Sequence, residues 1–126
     1  MATTPPPLVV VIEDDPGTLK ALGRALRAGG FDTAPYRCAE EFLASPPPRP
    51  PRCLVVDLQL GELSGLGLQQ RLKDIGSTVP VIFMTAFDDP RVRALAHRIG
   101  CVAYLDKGSD IEELLTIVRG LSARPS

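Results

Sequence analysis

The residues with the clearest chemical potential are carboxylates that follow short apolar runs. Glu13 and Asp14 follow the first such run, and Asp57 ends a later one, LVV. Thr85 follows VIFM, and Lys107 comes shortly after the last run. Carboxylates that converge on one cleft raise one another's pKa unless a cation neutralises them. If the fold gathers these groups, they form a cation site with a lysine and a hydroxyl beside it.

The cation that suits such a site is Mg²⁺, because it prefers oxygen ligands, needs few carboxylates and keeps several waters. With Mg²⁺ beside it and Lys107 opposite, Asp57 is a candidate nucleophile for a phosphoryl group. The metal and Lys107 would screen the phosphoryl oxygens, and Thr85 can donate a hydrogen bond to one of them. Each residue alone is weak evidence, and Asp15 fits better as a helix N-cap before Pro16.

Five short stretches are predicted to be strands. Their apolar residues are mostly continuous rather than alternating, which is typical of strands buried on both faces of a parallel sheet. They are residues 8–12, 31–36, 53–56, 81–84 and 102–105, of which 31–36 has the weakest signal.

Helices are predicted between and after these strands, from apolar residues spaced three and four apart. A short helix is expected over residues 39–44. The other four are marked by stripes at Leu19, Leu22 and Leu26; Leu68, Leu72 and Ile75; Val92, Leu95, Ala96 and Ile99; and Ile111, Leu114, Val118 and Leu121.

The predicted helix ends carry capping residues. Asp89-Pro90 is typical of an N-cap followed by proline at the first helical position. Ser109 with Glu112 predicts a capping box at the start of the last helix. Gly29-Gly30 and Gly100 stand where helices are expected to end.

The order strand–helix, repeated five times, predicts an α/β fold: a doubly wound, five-stranded parallel sheet with five helices. Ligands bind such a sheet beyond the carboxyl ends of its strands, at the switch point. With strand order 2-1-3-4-5, the ends of the first, third, fourth and fifth strands are neighbours, so the groups above meet there. The proline-rich segment 45–52 is predicted to be a stiff loop rather than a polyproline ligand.

Composition narrows the class of protein. The chain has 126 residues, which fits one domain, and its 44% hydrophobic residues exclude a disordered chain. A net charge of −1 argues against general attraction to nucleic acid or anionic membranes. No apolar run is long enough to cross a bilayer, and MATTPPP does not resemble a secretory signal. Three scattered cysteines without a CxxC predict reduced thiols in a cytosol.

Four stretches together resemble a bacterial response-regulator receiver domain, of the single-domain kind similar to the chemotaxis receiver. They are VVVIEDDP, CLVVDLQLGELSGLGLQQRL, VIFMTAF and CVAYLDK. We accordingly predict a flexible N-terminal arm over residues 1–7, a receiver domain over 8–121 and a C-terminal tail over 122–126.

The resemblance implies roles for the acidic residues. Asp57 would be the phospho-acceptor, and the Mg²⁺ ligands would be Glu13, Asp14, Asp57 and the backbone carbonyl of Gln59. Gln59 and Phe87 stand at the positions that tune phosphate lifetime in the family.

The resemblance also implies a switch. Thr85 and Lys107 would contact the phosphoryl group, and the small Ala86 would leave room for it. Thr85 would move toward the phosphoryl group and the aromatic Tyr104 would follow inward. The face of the fourth helix, fifth strand and fifth helix would then change its affinity for a partner.

Two glycines depart from the family pattern. Gly61 replaces a frequent proline, and Gly108 replaces the proline that follows the family's lysine in a cis bond. Since a cis bond is costly without proline, we predict a trans bond between Lys107 and Gly108. We also expect a looser loop that aims Lys107 less firmly at the cleft. His97 is predicted to be an exposed, inert helix residue.

The sequence therefore predicts a cytoplasmic, Mg²⁺-dependent regulator that accepts a phosphoryl group from a histidine kinase or histidine phosphotransfer protein. It is expected to assist only its own phosphotransfer and dephosphorylation, and so not to be an enzyme in the usual sense. It would signal by contacts with a downstream protein, without direct binding to nucleic acid or membrane. Two alternatives stay open: the receiver portion of a longer DNA-binding regulator, and a degenerate receiver used only for binding. A haloacid-dehalogenase-type hydrolase is disfavoured, because Gln59 stands where that chemistry needs a second aspartate.

Overall fold

The computed structural model of the chain describes residues 5–59 and 64–121. The predicted tail 122–126, most of the predicted arm 1–7, and Gly61 lie outside the described residues.

Five parallel strands form one sheet in the order β2-β1-β3-β4-β5, as the sequence predicted. The strands are β1 (Leu8–Ile12), β2 (Asp32–Tyr36), β3 (Cys53–Asp57), β4 (Val81–Thr85) and β5 (Ala103–Asp106). Their register places the carboxyl ends of β1, β3, β4 and β5 along one edge.

Five helices connect or follow the strands. They are α1 (Pro16–Ala28), α2 (Ala39–Ala44), α3 (Gly65–Asp74), α4 (Pro90–Ile99) and α5 (Ile111–Gly120). None of the helices in the described ranges is long and apolar enough to cross a membrane.

The helices cover both faces of the sheet, which explains the continuous apolar strands. Every residue of β1, β3 and β4 is buried. On one face, alternate strand residues pack with α2, α3 and α4, and on the other face they pack with α1 and α5. Since a buried apolar side chain contributes about 1.5–3 kcal/mol, these two layers supply most of the folding energy.

Most predicted helix ends are confirmed, and one is wrong. Asp15 and Asp89 cap α1 and α4 through their carboxylates, and Gly100 ends α4 with a φ of 114°. The cap of α5 is Asp110, which accepts a hydrogen bond from Glu112 N at 3.1 Å, and not Ser109. Ser109 lies instead in a turn closed by its N–H to the carbonyl of residue 106.

Two residues of the predicted apolar stripes are exposed rather than buried. Ile75 is 70% exposed because α3 ends at Asp74 and residue 75 is already its C-cap. Leu95 is 41% exposed, whereas its neighbour Ala96 faces the core. The buried stripe of α4 is therefore narrower than its sequence pattern suggests.

The proline-rich loop is tied to the sheet by its arginines. Arg49 donates to the carbonyl of Pro6 at 2.8 Å and pairs with Asp32 at 2.7 Å. The guanidinium of Arg52 lies 5.9 Å from the ring centre of Phe31. These contacts support the interpretation of residues 45–52 as a stiff loop.

Candidate functional site

Three carboxylates converge at the carboxyl edge of the sheet, as predicted. Glu13, Asp14 and Asp57 each place a carboxylate oxygen within 4.8 Å of the others. Glu13 is 1% exposed and Asp57 4% exposed, whereas Asp14 faces solvent. The cluster is thus a half-open pocket with two buried charges at its base.

Backbone pairing carries the two buried carboxylates into the pocket. The N–H of Glu13 donates to the carbonyl of Tyr36 at 3.0 Å, which extends the sheet contact beyond β1. One Glu13 oxygen accepts the N–H of Asp15 at 3.1 Å. Asp57 is the last residue of β3, and its Oδ1 accepts the N–H of Gln59 at 3.0 Å. Each carboxylate therefore has a fixed orientation and oxygen lone pairs left for another partner.

Lys107 bridges the two buried carboxylates. Its Nζ lies 2.8 Å from Glu13 Oε2 and 3.2 Å from Asp57 Oδ2. Burial alone would lower the pKa of Lys107, but the hydrogen bonds to Glu13 and Asp57 outweigh burial and raise it. The lysine is thus a fixed positive charge in the pocket.

The prediction of a loosely aimed Lys107 is wrong, although the predicted trans bond to Gly108 is confirmed. The loop is fastened by backbone hydrogen bonds despite its glycine. The N–H of Lys107 donates to the carbonyl of Thr85 at 2.7 Å, and the N–H of Gly108 donates to Asp106 Oδ1 at 2.7 Å. These bonds and the two ion pairs hold Lys107 at the acidic cluster without a proline at position 108.

The pocket holds more negative than positive charge. Burial raises the pKa of Glu13 to about 7, with the hydrogen bond from Lys107 working against the rise and the nearby Asp57 charge adding to it. One lysine faces three carboxylates, so a hard divalent cation would relieve the excess. The donor set, oxygen only and from carboxylates, is one that Mg²⁺ accepts.

Thr85 lies at the end of β4, buried, with its hydroxyl engaged in its own loop. Thr85 Oγ1 donates to the carbonyl of Phe87 at 3.0 Å and accepts the N–H of Phe87 at 3.1 Å. The intervening Ala86 is exposed, and so are Gln59 and the ring of Phe87, which is 72% exposed. Both residues for which the sequence predicted a role in phosphate lifetime, Gln59 and Phe87, are therefore exposed, and that role stays a prediction.

Tyr104 lies on β5 opposite Phe83 of β4. The residue is half-buried and packs against the core on the α3–α4 side. Its hydroxyl is buried and has no hydrogen-bond partner in the described ranges 5–59 and 64–121. The ring of Tyr104 therefore already has its hydroxyl end inside the protein, and the predicted switch role of this residue stays a prediction.

Gly65, at the start of α3, is a site residue that sequence reasoning missed. A Cβ at this position would lie 3.0 Å from the Asp57 carbonyl oxygen, from Leu58 Cα and from the ring of Phe83. Only glycine lets α3 approach the end of β3 this closely. The available signal was a glycine directly after the N-cap Ser64, which caps α3 through its hydroxyl.

The predicted exposure of His97 is confirmed. His97 lies on α4 and Cys101 in the loop that follows it, and the Nδ1 of His97 lies 3.7 Å from the Cys101 sulfur. Neither residue belongs to the acidic cluster.

Solved structures with this fold define the class of protein. The receiver domain of the Francisella response regulator 1452 superposes with a TM-score of 0.84 at 26% identity, over 91% of this chain and 95% of that one. Full-length FixJ from B. japonicum gives a TM-score of 0.85 at 28% identity, over 94% of this chain and 58% of that one. The molecule has the receiver fold of response regulators.

The family model described as the response regulator receiver domain matches residues 9–119. The chain belongs to this family. Curated relatives include response regulator protein TodT of Pseudomonas putida, 30% identical over 112 residues, and nodulation protein W of Bradyrhizobium diazoefficiens, 33% identical over 117. The matches cover 89% and 93% of this chain but 49% and 52% of the relatives, so the chain spans about half their length.

Proposed function

We propose that this receiver accepts a phosphoryl group on Asp57 in a Mg²⁺-dependent reaction. The observation that carries the proposal is the convergence of Glu13, Asp14 and Asp57 within 4.8 Å, with Lys107 3.2 Å from Asp57. A nucleophilic carboxylate beside a cation site and a lysine is the arrangement that phosphoryl transfer needs. The family shares this chemistry, which supports carrying it to these residues.

Glu13, Asp14, Asp57 and the backbone carbonyl of Gln59 would hold the Mg²⁺. When bound, the ion supplies positive charge next to Asp57 and lowers the repulsion between the carboxylate and an incoming phosphoryl group. The fit rests on the oxygen-only donor set and on the excess of negative charge in the pocket.

The chain's own residues perform the transfer. An oxygen of Asp57 attacks the phosphorus of a phosphohistidine on a kinase or phosphotransfer protein, so a P–O bond forms while the P–N bond breaks and the histidine keeps the electron pair. Lys107 neutralises phosphoryl oxygens, which carry about −1.5 to −2 charges. Thr85 exchanges the Phe87 carbonyl for a phosphoryl oxygen as its acceptor, and the small Ala86 leaves room for the group.

Gln59 and Phe87 are proposed to set how long the phosphoryl group lasts. Both are exposed, Gln59 follows Asp57 by two residues and bonds to it through its N–H, and Phe87 bonds to Thr85 through its backbone, so both side chains would control the approach of hydrolytic water rather than the transfer itself. The protein assists its own phosphorylation and dephosphorylation and acts on no other substrate.

The signal is proposed to leave through the face built by α4, β5 and α5, in the cytoplasm and by contact with a protein. Leu95 and Val102 are 41% and 44% exposed and give this face apolar contact area. A change from mostly inactive to mostly active needs about 5.5 kcal/mol of differential stabilisation. The receiver unit that carries these roles is proposed to be residues 8–121.

The test is the intact mass of the protein after incubation with acetyl phosphate, with Mg²⁺ or with EDTA. We expect the mass of one phosphoryl group with Mg²⁺, none with EDTA, none for Asp57→Asn, and strongly reduced labelling for Asp14→Asn. Asp74→Asn is the matched control, because Asp74 is exposed and its carboxylate accepts a hydrogen bond from Gln70 on its own helix. Equal labelling of Asp57→Asn and the control would overturn the proposal.

A further inference from the structure

The ring of Tyr104 is covered by two side chains of α4. The guanidinium carbon of Arg93 lies 5.3 Å from the ring centre, within the range of a cation–π contact. The ring centre of His97, one helical turn further on, lies 6.4 Å away and is tilted by 40°. Because residues four apart share one face of a helix, α4 presents both groups to the tyrosine together.

The buried hydroxyl of Tyr104 makes this cover necessary. A buried hydroxyl without a partner loses its hydrogen bonds to water, which favours an outward ring. The contact with Arg93 works in the opposite direction, because it exists only while the ring lies beneath α4. The ring position is therefore a balance between two opposing contributions.

Arg93 is itself held by Asp88, in the loop between β4 and α4. The two side chains form an ion pair, with 49% and 41% of their surfaces exposed. Asp88 follows Phe87, the residue whose backbone bonds twice to the hydroxyl of Thr85. A continuous series of contacts thus leads from Thr85 through the loop and Arg93 to Tyr104.

We propose that Asp88 and Arg93 form a latch that holds Tyr104 inward and couples its position to the loop that Thr85 anchors. Asp88 fixes the guanidinium over the ring, and Arg93 offsets the cost of the buried hydroxyl. When Thr85 gives up its bonds to Phe87, the loop that carries Asp88 is released, and the strength of the Asp88–Arg93 ion pair changes with it. This last consequence rests on the proposed function, whereas the latch itself does not.

The latch can be measured on the protein without any phosphodonor. The chain contains two tyrosines and no tryptophan, so 3-fluorotyrosine labelling gives one ¹⁹F resonance each for Tyr36 and Tyr104. Tyr36→Phe assigns them, and the change of each shift between H₂O and D₂O reports how far the ring is exposed. Tyr36, on β2, bonds to the carbonyl of Ser45 at 2.6 Å and is an internal reference for folding.

We expect Arg93→Gln to increase the population of Tyr104 with an exposed ring by roughly two- to fivefold. This is the change in population expected from the loss of one surface cation–π contact or ion pair. Asp88→Asn should have a similar effect. The double variant should go no further than Arg93→Gln alone, because the two residues act as one unit. Arg91→Gln is the matched control, since the Arg91 side chain is 94% exposed and its Nε lies 3.8 Å from Asp89 Oδ1, which makes only a weak ion pair.

Two results would overturn the latch. One is an unchanged Tyr104 solvent-isotope shift in Arg93→Gln, with the Tyr36 resonance as in wild type. The other is full additivity of Asp88→Asn and Arg93→Gln, which would mean that Asp88 does not act through Arg93. Failure of Asp57 to take a phosphoryl group would leave these readings unaffected, so the two proposals stand or fall separately.

Discussion

Replacing Asp57 with asparagine should stabilise the metal-free protein, although Asp57 is buried and ion-paired. The change removes one attraction and two repulsions. At an effective dielectric constant of about 20, charges 3.2 Å apart attract by about 5 kcal/mol, which is the Lys107 contact. The Glu13 and Asp14 carboxylates each lie within 4.8 Å of Asp57, and at that limiting distance each repels it by about 3.5 kcal/mol.

The sum favours the asparagine. Two repulsions exceed the single attraction by about 2 kcal/mol, and the desolvation of a 4% exposed carboxylate is relieved as well. Solvent screening of the exposed Asp14 reduces the gain. Lys107 keeps its 2.8 Å partner Glu13, so no buried charge is left unpaired. We expect an increase of about 1–3 kcal/mol in the free energy of unfolding.

The assay is urea unfolding followed by far-ultraviolet circular dichroism at pH 8, where Glu13 is ionised. In EDTA, Asp57→Asn should be more stable than wild type, whereas Asp74→Asn should lie within about 0.5 kcal/mol of it. With 10 mM Mg²⁺ the wild type should gain stability and the variant little, so the gap should narrow. If Asp57→Asn is less stable than wild type in EDTA by 1 kcal/mol or more, the electrostatic reasoning is wrong.

Three further predictions concern the pocket and its supports. In EDTA, the free energy of unfolding of the wild type should fall by up to about 3 kcal/mol from pH 5 to 8, because the folded state keeps a proton on Glu13 (pKa about 7 against an ordinary 4.5) that the unfolded state has already released. Urea unfolding across this range should show a weaker pH dependence for Glu13→Gln. An equal pH dependence of the two proteins would contradict the burial argument. Gly65→Ala should destabilise the protein by about 1–3 kcal/mol in thermal unfolding, because the added Cβ would lie 3.0 Å from backbone atoms. Gly120→Ala, which has open space around it, should not. Equal melting temperatures of the two variants would refute the close approach of α3 to β3. Gly108→Pro should lower the free energy of unfolding by about 1 kcal/mol, because the N–H that donates to Asp106 is lost. The variant should not be labelled faster by acetyl phosphate. Faster labelling would show that the loop limits the reaction.

The sheet and the gathering of its carboxylates could be predicted because both follow from local sequence. A strand buried on both faces is a continuous apolar run, and the residue that ends the run must lie at the carboxyl edge. Glu13 and Asp57 were placed correctly for this reason, and β1 begins and ends where the sequence indicated.

The contacts that depend on distant parts of the chain could not be predicted. The orientation of Lys107 depends on two carboxylates about 50 and 90 residues away, so loop composition alone gave the wrong expectation. Gly65 is needed because α3 crosses close to β3, and Ile75 is exposed because α3 ends one residue before it. Neither fact is visible in the spacing of apolar residues.

The central claim is that Asp57 carries the phosphoryl group, and chemical trapping tests it most directly. After incubation with acetyl phosphate and Mg²⁺, borohydride reduces an acyl phosphate to the alcohol, which converts the modified aspartate to homoserine. Peptide sequencing by tandem mass spectrometry should then find homoserine at position 57, dependent on Mg²⁺, with Asp14 and Asp15 unchanged. Homoserine at another aspartate, the corresponding longer alcohol at a glutamate, or no homoserine at position 57 in a protein that has gained the phosphoryl mass, would contradict the account.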